Sequence, residues 1–308
     1  MALAARNAAR RGRLLAGVVG RALVRLWGRD VMLYVGGVSF FALLAVFPAL
    51  ALLLGFYGAV FTPEEAQMQA EGLSHLLPIG ARDLFARELT GLTDNSIRAI
   101  SAQSTLAIVI GAYATHRGFK ALLAGLNFIH DEEDPHGFVG FNLLAFVVAL
   151  ATFALATVIS GVILVTRIMG IGRDVEIQGY GWIESEWLWV GLGLVLGLSC
   201  VYRYAMSHRQ RVIWPAAITG GIAAAGMALL ASWASAFYVN QISALGATFG
   251  SIGAVVVFLI WLSWSVNAVF FGGALATEIE LVLAKDRQKA RLKTRSLKTG
   301  APHRAFRR

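Results

Sequence analysis

The sequence predicts an all-α integral membrane protein with six transmembrane helices, N-in and C-in. Three observations predict it: apolar composition, long uncharged runs and the placement of the basic residues. Of 308 residues, 57% are hydrophobic and only 15% charged, against the roughly 25% charge of soluble domains. The mean hydropathy is +0.66. A soluble fold would have to bury that excess in one core, whereas a bilayer accepts it directly.

The net charge of +9 is concentrated at the ends, with seven arginines from Arg6 to Arg29 and ten Lys or Arg from Lys285 to Arg308. A basic excess that flanks an apolar body points to anionic lipid headgroups rather than nucleic acid as the partner of the termini. The single cysteine, Cys200, excludes an intrachain disulfide and any Cys-based metal motif.

Taken in order, residues 1–30 form a basic amphipathic segment. Its run LLAGVVG is too short for a signal peptide and Arg21 interrupts it. It is expected to lie on the membrane with Leu14, Leu15 and Val18 toward lipid. Residues 31–284 form the membrane domain. A helical span needs about 20 apolar residues. Tyr34 to Phe61, Phe141 to Thr166, Trp187 to Met206, Trp214 to Tyr238 and Phe249 to Leu281 qualify clearly. A weaker span, Ile97 to Thr115, begins with Arg98, Gln103 and Ser104 and closes on His116 and Arg117. Counting it as a crossing places 22 of the 27 Lys and Arg residues on the cytoplasmic side, as the positive-inside rule prefers.

The outer segment, about 62–96, opens TPEE, where Thr62 can cap a helix, Pro63 suits its first position and Glu65 completes a capping box. A helical hairpin broken at Pro78 and Gly80 is expected there. Residues 285–308 read as a basic cytoplasmic tail, disordered for want of apolar periodicity. No internal repeat is evident, which argues against an inverted-repeat transporter.

Candidate functional residues are those that are costly at membrane depth. Pro48 removes a backbone donor inside the first span and kinks it. Arg203, Asn267, Glu278 and Glu280 lie in or near apolar spans, where polar groups mark a pathway or a buried pair. His116, Arg117 and Asn127 are secondary candidates of the same kind. An interhelical hydrogen bond is the simplest role for Asn267. Small residues at Gly221, Ala225, Ser232 and Ala236, and at Gly246, Gly250 and Gly253, predict close helix approach. The string HDEEDPH from His130 to His136 matches no metal-loop spacing. No catalytic residue, metal site or cofactor is expected, so the chain reads as a non-enzyme.

Four strings resemble the YihY/BrkB family of bacterial inner-membrane proteins across about residues 20–282. They are VSFFALLAVFPALALLL from Val38, ALLAGLNFIHDEE from Ala121, VYRYAMSHRQRVIWPAA from Val201 and FGSIGAVVVFLIWLSWSVNAVFFGGALATEIE from Phe249. The resemblance implies six helices and an inner-membrane location, but no settled activity. Members of that family have been labelled ribonuclease BN, yet no acidic cluster or histidine pair beside the basic ends supports RNA cleavage. The family's Gly-Ala-Glu-Leu is Gly272-Gly273-Ala274-Leu275 here, so its carboxylate is missing, and Glu278 falls one turn later on the same face.

Three function classes follow: translocation of a lipid or other amphiphile, export of a small solute or ion, and a non-transporting envelope scaffold. The first predicts that Pro48, Arg203, Asn267 and Glu278 share one laterally open cavity, with Glu278 holding Arg203 when it is empty. Homo-oligomerisation stays open.

Overall fold

The computed structural model describes residues 16–27, 31–60, 102–130, 137–168, 186–206, 212–241 and 244–299. Among them there is no strand. The helices are α1 (Ala16–Trp27), α2 (Val31–Val60), α3 (Ala102–His130), α4 (Gly137–Ile168), α5 (Glu186–Cys200), α6 (Trp214–Gln241) and α7 (Ala244–Thr299). A single π-helical turn, Val201–Ala205, continues α5. Four helices carry runs long and apolar enough to cross a membrane, and α1 with α2, meeting at 72°, make a fifth if they count as one broken span. The protein is a multi-pass membrane protein. The expected hairpin at 62–96 and the string 131–136 lie outside the described residues.

From α2 onward each helix packs on the next in sequence, α7 returns to α2, and α3 crosses to touch α7. The α2–α3 seam is antiparallel with a seven-residue register. A side chain at Gly111 would collide with Pro48, one at Gly118 would press on Phe41, and one at Gly125 would come within 3.0 Å of Tyr34. Equal seven-residue steps on both helices keep the contact line on one face of each. The Pro48 ring therefore packs directly on Gly111 of α3 rather than facing an open cavity.

The tightest approach is between α6 and α7. A Cβ on Gly272 would stand 2.5 Å from the Gly220 carbonyl oxygen and 2.6 Å from the Tyr202 hydroxyl. Close backbone contact supplies dispersion where lipid offers no hydrophobic drive. Gly221 behaves as the sequence predicted, meeting Ser199 and Val195 of α5. Ser232 accepts a 2.9 Å hydrogen bond from Trp261 Nε1, and Ala225 is buried.

The main core lies at one end of the bundle. Ala22, Val31, Leu126, Ile129, Tyr202 and Phe270 meet there. By contrast only 17% of α4's apolar run is buried, leaving its surface to lipid.

Two expectations are corrected. Val18, with Ala22 and Leu26, is buried against the bundle, so α1 docks on protein along that stripe instead of turning Val18 to lipid. Val19, Val24 and Trp27 are the exposed large apolar residues of α1 instead. Nor are residues 286–299 disordered, because α7 continues as helix to Thr299. That stretch is rich in Lys, Arg, Leu, Ala and Gln, all good helix formers, and the first Gly beyond Lys285 is Gly300.

Candidate functional site

Helix α1 carries Arg21 and Arg25 four residues apart, hence on one face beside its buried stripe. Both reach Glu278 of α7. Arg21 Nε donates to Oε2 at 2.8 Å, and Arg25 donates to Oε1 from Nε at 3.0 Å and from Nη2 at 2.8 Å. Arg25 Nη1 also donates to the Ile129 carbonyl at 3.0 Å. Ile129 belongs to the last turn of α3, whose carbonyls have no acceptor role left within the helix, and a cation there complements the helix dipole. One guanidinium thus ties α1, α3 and α7 together.

Burial grades this cluster. The side chains of Glu278 and Arg25 are 7% and 15% exposed, whereas that of Arg21 is 53% exposed. Two guanidinium groups share the one carboxylate of Glu278.

Thr277, the residue before Glu278, faces α3 instead. Its hydroxyl donates to the Gly273 carbonyl at 3.0 Å and lies 2.8 Å from His130 Nδ1. A hydroxyl has one proton to give, so His130 Nδ1 carries the hydrogen in that second contact.

Arg203 is not part of this cluster. In the π-helical turn its Nη1 donates to the Val212 carbonyl at 2.5 Å, just ahead of α6. The guanidinium stacks 4.8 Å from the ring centre of Trp214 and 5.4 Å from that of Tyr204. Its Nε is buried with no acceptor among the described residues. The neighbouring Tyr202 is fully buried and donates to the Val269 carbonyl at 2.6 Å. Arg203 therefore pins the turn between α5 and α6.

The predicted residues are not gathered into one cavity. Glu278 holds Arg21 and Arg25 rather than Arg203. Pro48 packs on Gly111, and from there to His130 beside Thr277 is 19 residues of α3, about 28 Å of helix. Asn267 donates to the Ser263 carbonyl of its own helix at 2.9 Å, so the expected interhelical bond is replaced by an intrahelical one. Asn127 is buried, and Glu280 is half-buried.

His116 lies elsewhere, on the α3–α4 seam. Its Nε2 is 3.3 Å from Asn142 Oδ1, which also accepts from Lys120 Nζ at 2.9 Å, while Asn142 Nδ2 donates to the Phe138 carbonyl. Arg117 stacks 5.7 Å from the Phe41 ring centre.

Sequence reasoning missed Arg21 and Arg25 as partners of Glu278. The available signal was their i, i+4 spacing beside the stripe Val18, Ala22 and Leu26. Ala274, at the position of the family's absent carboxylate, is fully buried in the core, and Glu278 supplies a carboxylate one turn on.

Comparison with known proteins agrees with this membrane reading. The chain is 24% identical over 251 residues to ribonuclease-like protein YfkH of Bacillus subtilis (strain 168), covering 77% of this chain and 86% of that protein. It is 22% identical over 268 residues to the UPF0761 membrane protein RC1_0578 of Rhodospirillum centenum (strain ATCC 51521 / SW), covering 85% of this chain. The match spans 57% of that second relative's length. No solved structure matches the chain. The family model for virulence factor BrkB matches residues 22–296, nearly the whole chain, and the chain belongs to that family.

Proposed function

We propose that this protein works in the bacterial inner membrane, with six crossings and both termini in the cytoplasm, and moves a lipid or another amphiphile without an enzymatic step. The observation that carries this reading is the Arg21–Arg25–Glu278 cluster. It sets two guanidinium groups on one carboxylate, one of them half exposed, beside an exposed apolar flank of Val24, Trp27 and Leu33.

Such a site suits an anionic headgroup. Arg25 is held by both Glu278 and the α3 carbonyl and stays in place. Arg21 reaches the carboxylate through Nε and can exchange that partner for a phosphate, which a guanidinium binds well. A headgroup sheltered there avoids the several kcal/mol or more that an uncompensated charge costs in hydrocarbon. The basic residues of the chain, 22 of 27 on one side in the six-crossing arrangement, support a cytoplasmic location for this end.

The competing scaffold reading draws support from Pro48, Arg203 and Asn267, each engaged in packing or in local backbone contacts. Reconstituted vesicles separate the two. With fluorescent phosphatidylglycerol, the wild-type protein is expected to speed lipid exchange between leaflets over protein-free vesicles, and Arg21→Ala to slow it. Exchange at the protein-free rate in the wild type would overturn translocation and leave the scaffold. Incubation of the purified protein with RNA is expected to leave the RNA intact.

A further inference from the structure

We propose that the α3–α4 seam holds the phosphate of an anionic phospholipid, with Arg117 and Lys120 as its ligands. This site is separate from the Glu278 cluster and does not depend on lipid transport, since Lys120 precedes His130 by ten residues of α3, about 15 Å.

Depth is the first step. The apolar run of α4 starts at Gly137 and is 27 residues long, about 40 Å of helix against a hydrocarbon core of about 30 Å. In the six-crossing arrangement its first turns follow the cytoplasmic 131–136 stretch and stand among the headgroups of that leaflet. Lys120 is level with those turns, because its Nζ lies 5.2 Å from the Phe138 ring centre, 5.9 Å from that of Phe141 and 2.9 Å from Asn142 Oδ1. Arg117 is one turn of α3 deeper and exposed.

Charge is the second step. Among the described residues neither cation has a carboxylate within ion-pair distance, and Glu278 is occupied by Arg21 and Arg25. Helix α2, which faces Arg117 through Phe41, has no charged residue, and the charged residue of α4, Arg167, is at its far end. Asn142 is neutral, and its orientation is fixed by its bond to the Phe138 carbonyl. Cations at membrane depth are costly without a partner. The anion available at this depth is a lipid phosphate. Its acyl chains would run deeper along α4, over Leu143, Phe146 and Val147, which are exposed.

The test uses the full chain in a neutral detergent, equilibrated separately with phosphatidylglycerol, phosphatidylcholine or inorganic phosphate, and native mass spectrometry to count retained ligand. Phosphatidylglycerol is expected to be retained over phosphatidylcholine, and Arg117→Gln and Lys120→Gln are each expected to lower its retention about fivefold. Lys120→Arg is expected to preserve it. Arg117→Gln sits at an exposed position and reads the site even where Lys120→Gln does not purify. Equal retention by the variants, or equal retention of the two lipids, overturns the proposal. Inorganic phosphate bound as tightly, and lost in the same variants, reassigns the site to a free anion and overturns the lipid assignment. A further arm neutralises Asp131, Glu132, Glu133 and Asp134 to their amides. Unchanged retention supports the proposal, whereas a gain means those carboxylates already compensate Lys120 and overturns it.

Discussion

Arg25 and Arg203 stand at the same end of the bundle and are held in opposite ways. Arg25 has a carboxylate and a helix-end carbonyl, and its three bonds join three helices. Arg203 has one carbonyl nine residues away and two aromatic faces, with a buried Nε left over. The first arrangement is long-range and electrostatic. The second is local and largely a matter of stacking. An arginine's cost at membrane depth is thus offset either by an ion pair or by rings and a carbonyl, and the two solutions predict different sensitivities.

The largest expected effect is at Glu278. Glu278→Ala removes the carboxylate that the largely buried Arg25 and the more exposed Arg21 share, and breaking a buried pair from one side costs about 3–5 kcal/mol. A clear fall in the detergent melting temperature is expected. If Glu278→Ala is no more destabilising than Arg203→Ala, the ion pair contributes nothing beyond what stacking does, and the contrast between the two sites fails.

Much of this contrast was hidden in the sequence for a physical reason. Apolar runs are local, so the helices of α4, α5 and α6 could be placed within a few residues. Capping and helix propensity are local too, although the good helix formers after Lys285 were outweighed there by the expectation of disorder. Partners are not local. Glu278 and Arg25 are 253 residues apart in the chain, and nothing in either neighbourhood distinguishes Arg25 from Arg203 as the partner. Pro48 was legible as a proline inside the first span, but that its ring packs on Gly111 follows only from the antiparallel seven-residue register. The buried stripe of α1 was read as a lipid face because an amphipathic helix looks the same whether its apolar side meets lipid or protein.

The next largest effect tests whether the two arginine sites share a foundation. Gly272 touches Gly220 and the Tyr202 hydroxyl, and so supports the turn that carries Arg203, six residues ahead of Glu278. Gly272→Ala forces a methyl group into backbone, and overpacking of this kind costs about 1–3 kcal/mol. Gly226→Ala is the control, since nothing lies within 4 Å of a Cβ there. A lower melting temperature for Gly272→Ala, with none for Gly226→Ala, is expected. Equal values would show that the α6–α7 seam yields without strain.

A smaller effect is expected at Arg203. Arg203→Lys keeps the charge but loses the planar group that stacks on Trp214 and Tyr204, a loss of about 0.5–2 kcal/mol. Because the side chain ties a turn, lipid movement in reconstituted vesicles is expected to match the wild type once the protein is folded. A lipid-transport defect in a variant of wild-type stability would instead return Arg203 to the pathway.

The smallest change in stability is expected at Arg21, and it separates structure from function most sharply. Its side chain is half exposed and meets Glu278 through one nitrogen, so solvent screens the pair and its worth is about 0–1 kcal/mol. Arg25 continues to neutralise Glu278 in Arg21→Ala, so no buried charge is stranded. The melting temperature should barely move. The proposed function nevertheless places Arg21 at the point where an anionic headgroup exchanges with the carboxylate, so exchange of phosphatidylglycerol should slow while the fold persists. Arg21→Lys, which keeps a charge but loses the planar donor fork, should fall between the two. If both variants exchange lipid at the wild-type rate, Arg21 is only a peripheral brace for α1, and the Glu278 cluster holds the bundle together without acting on a headgroup.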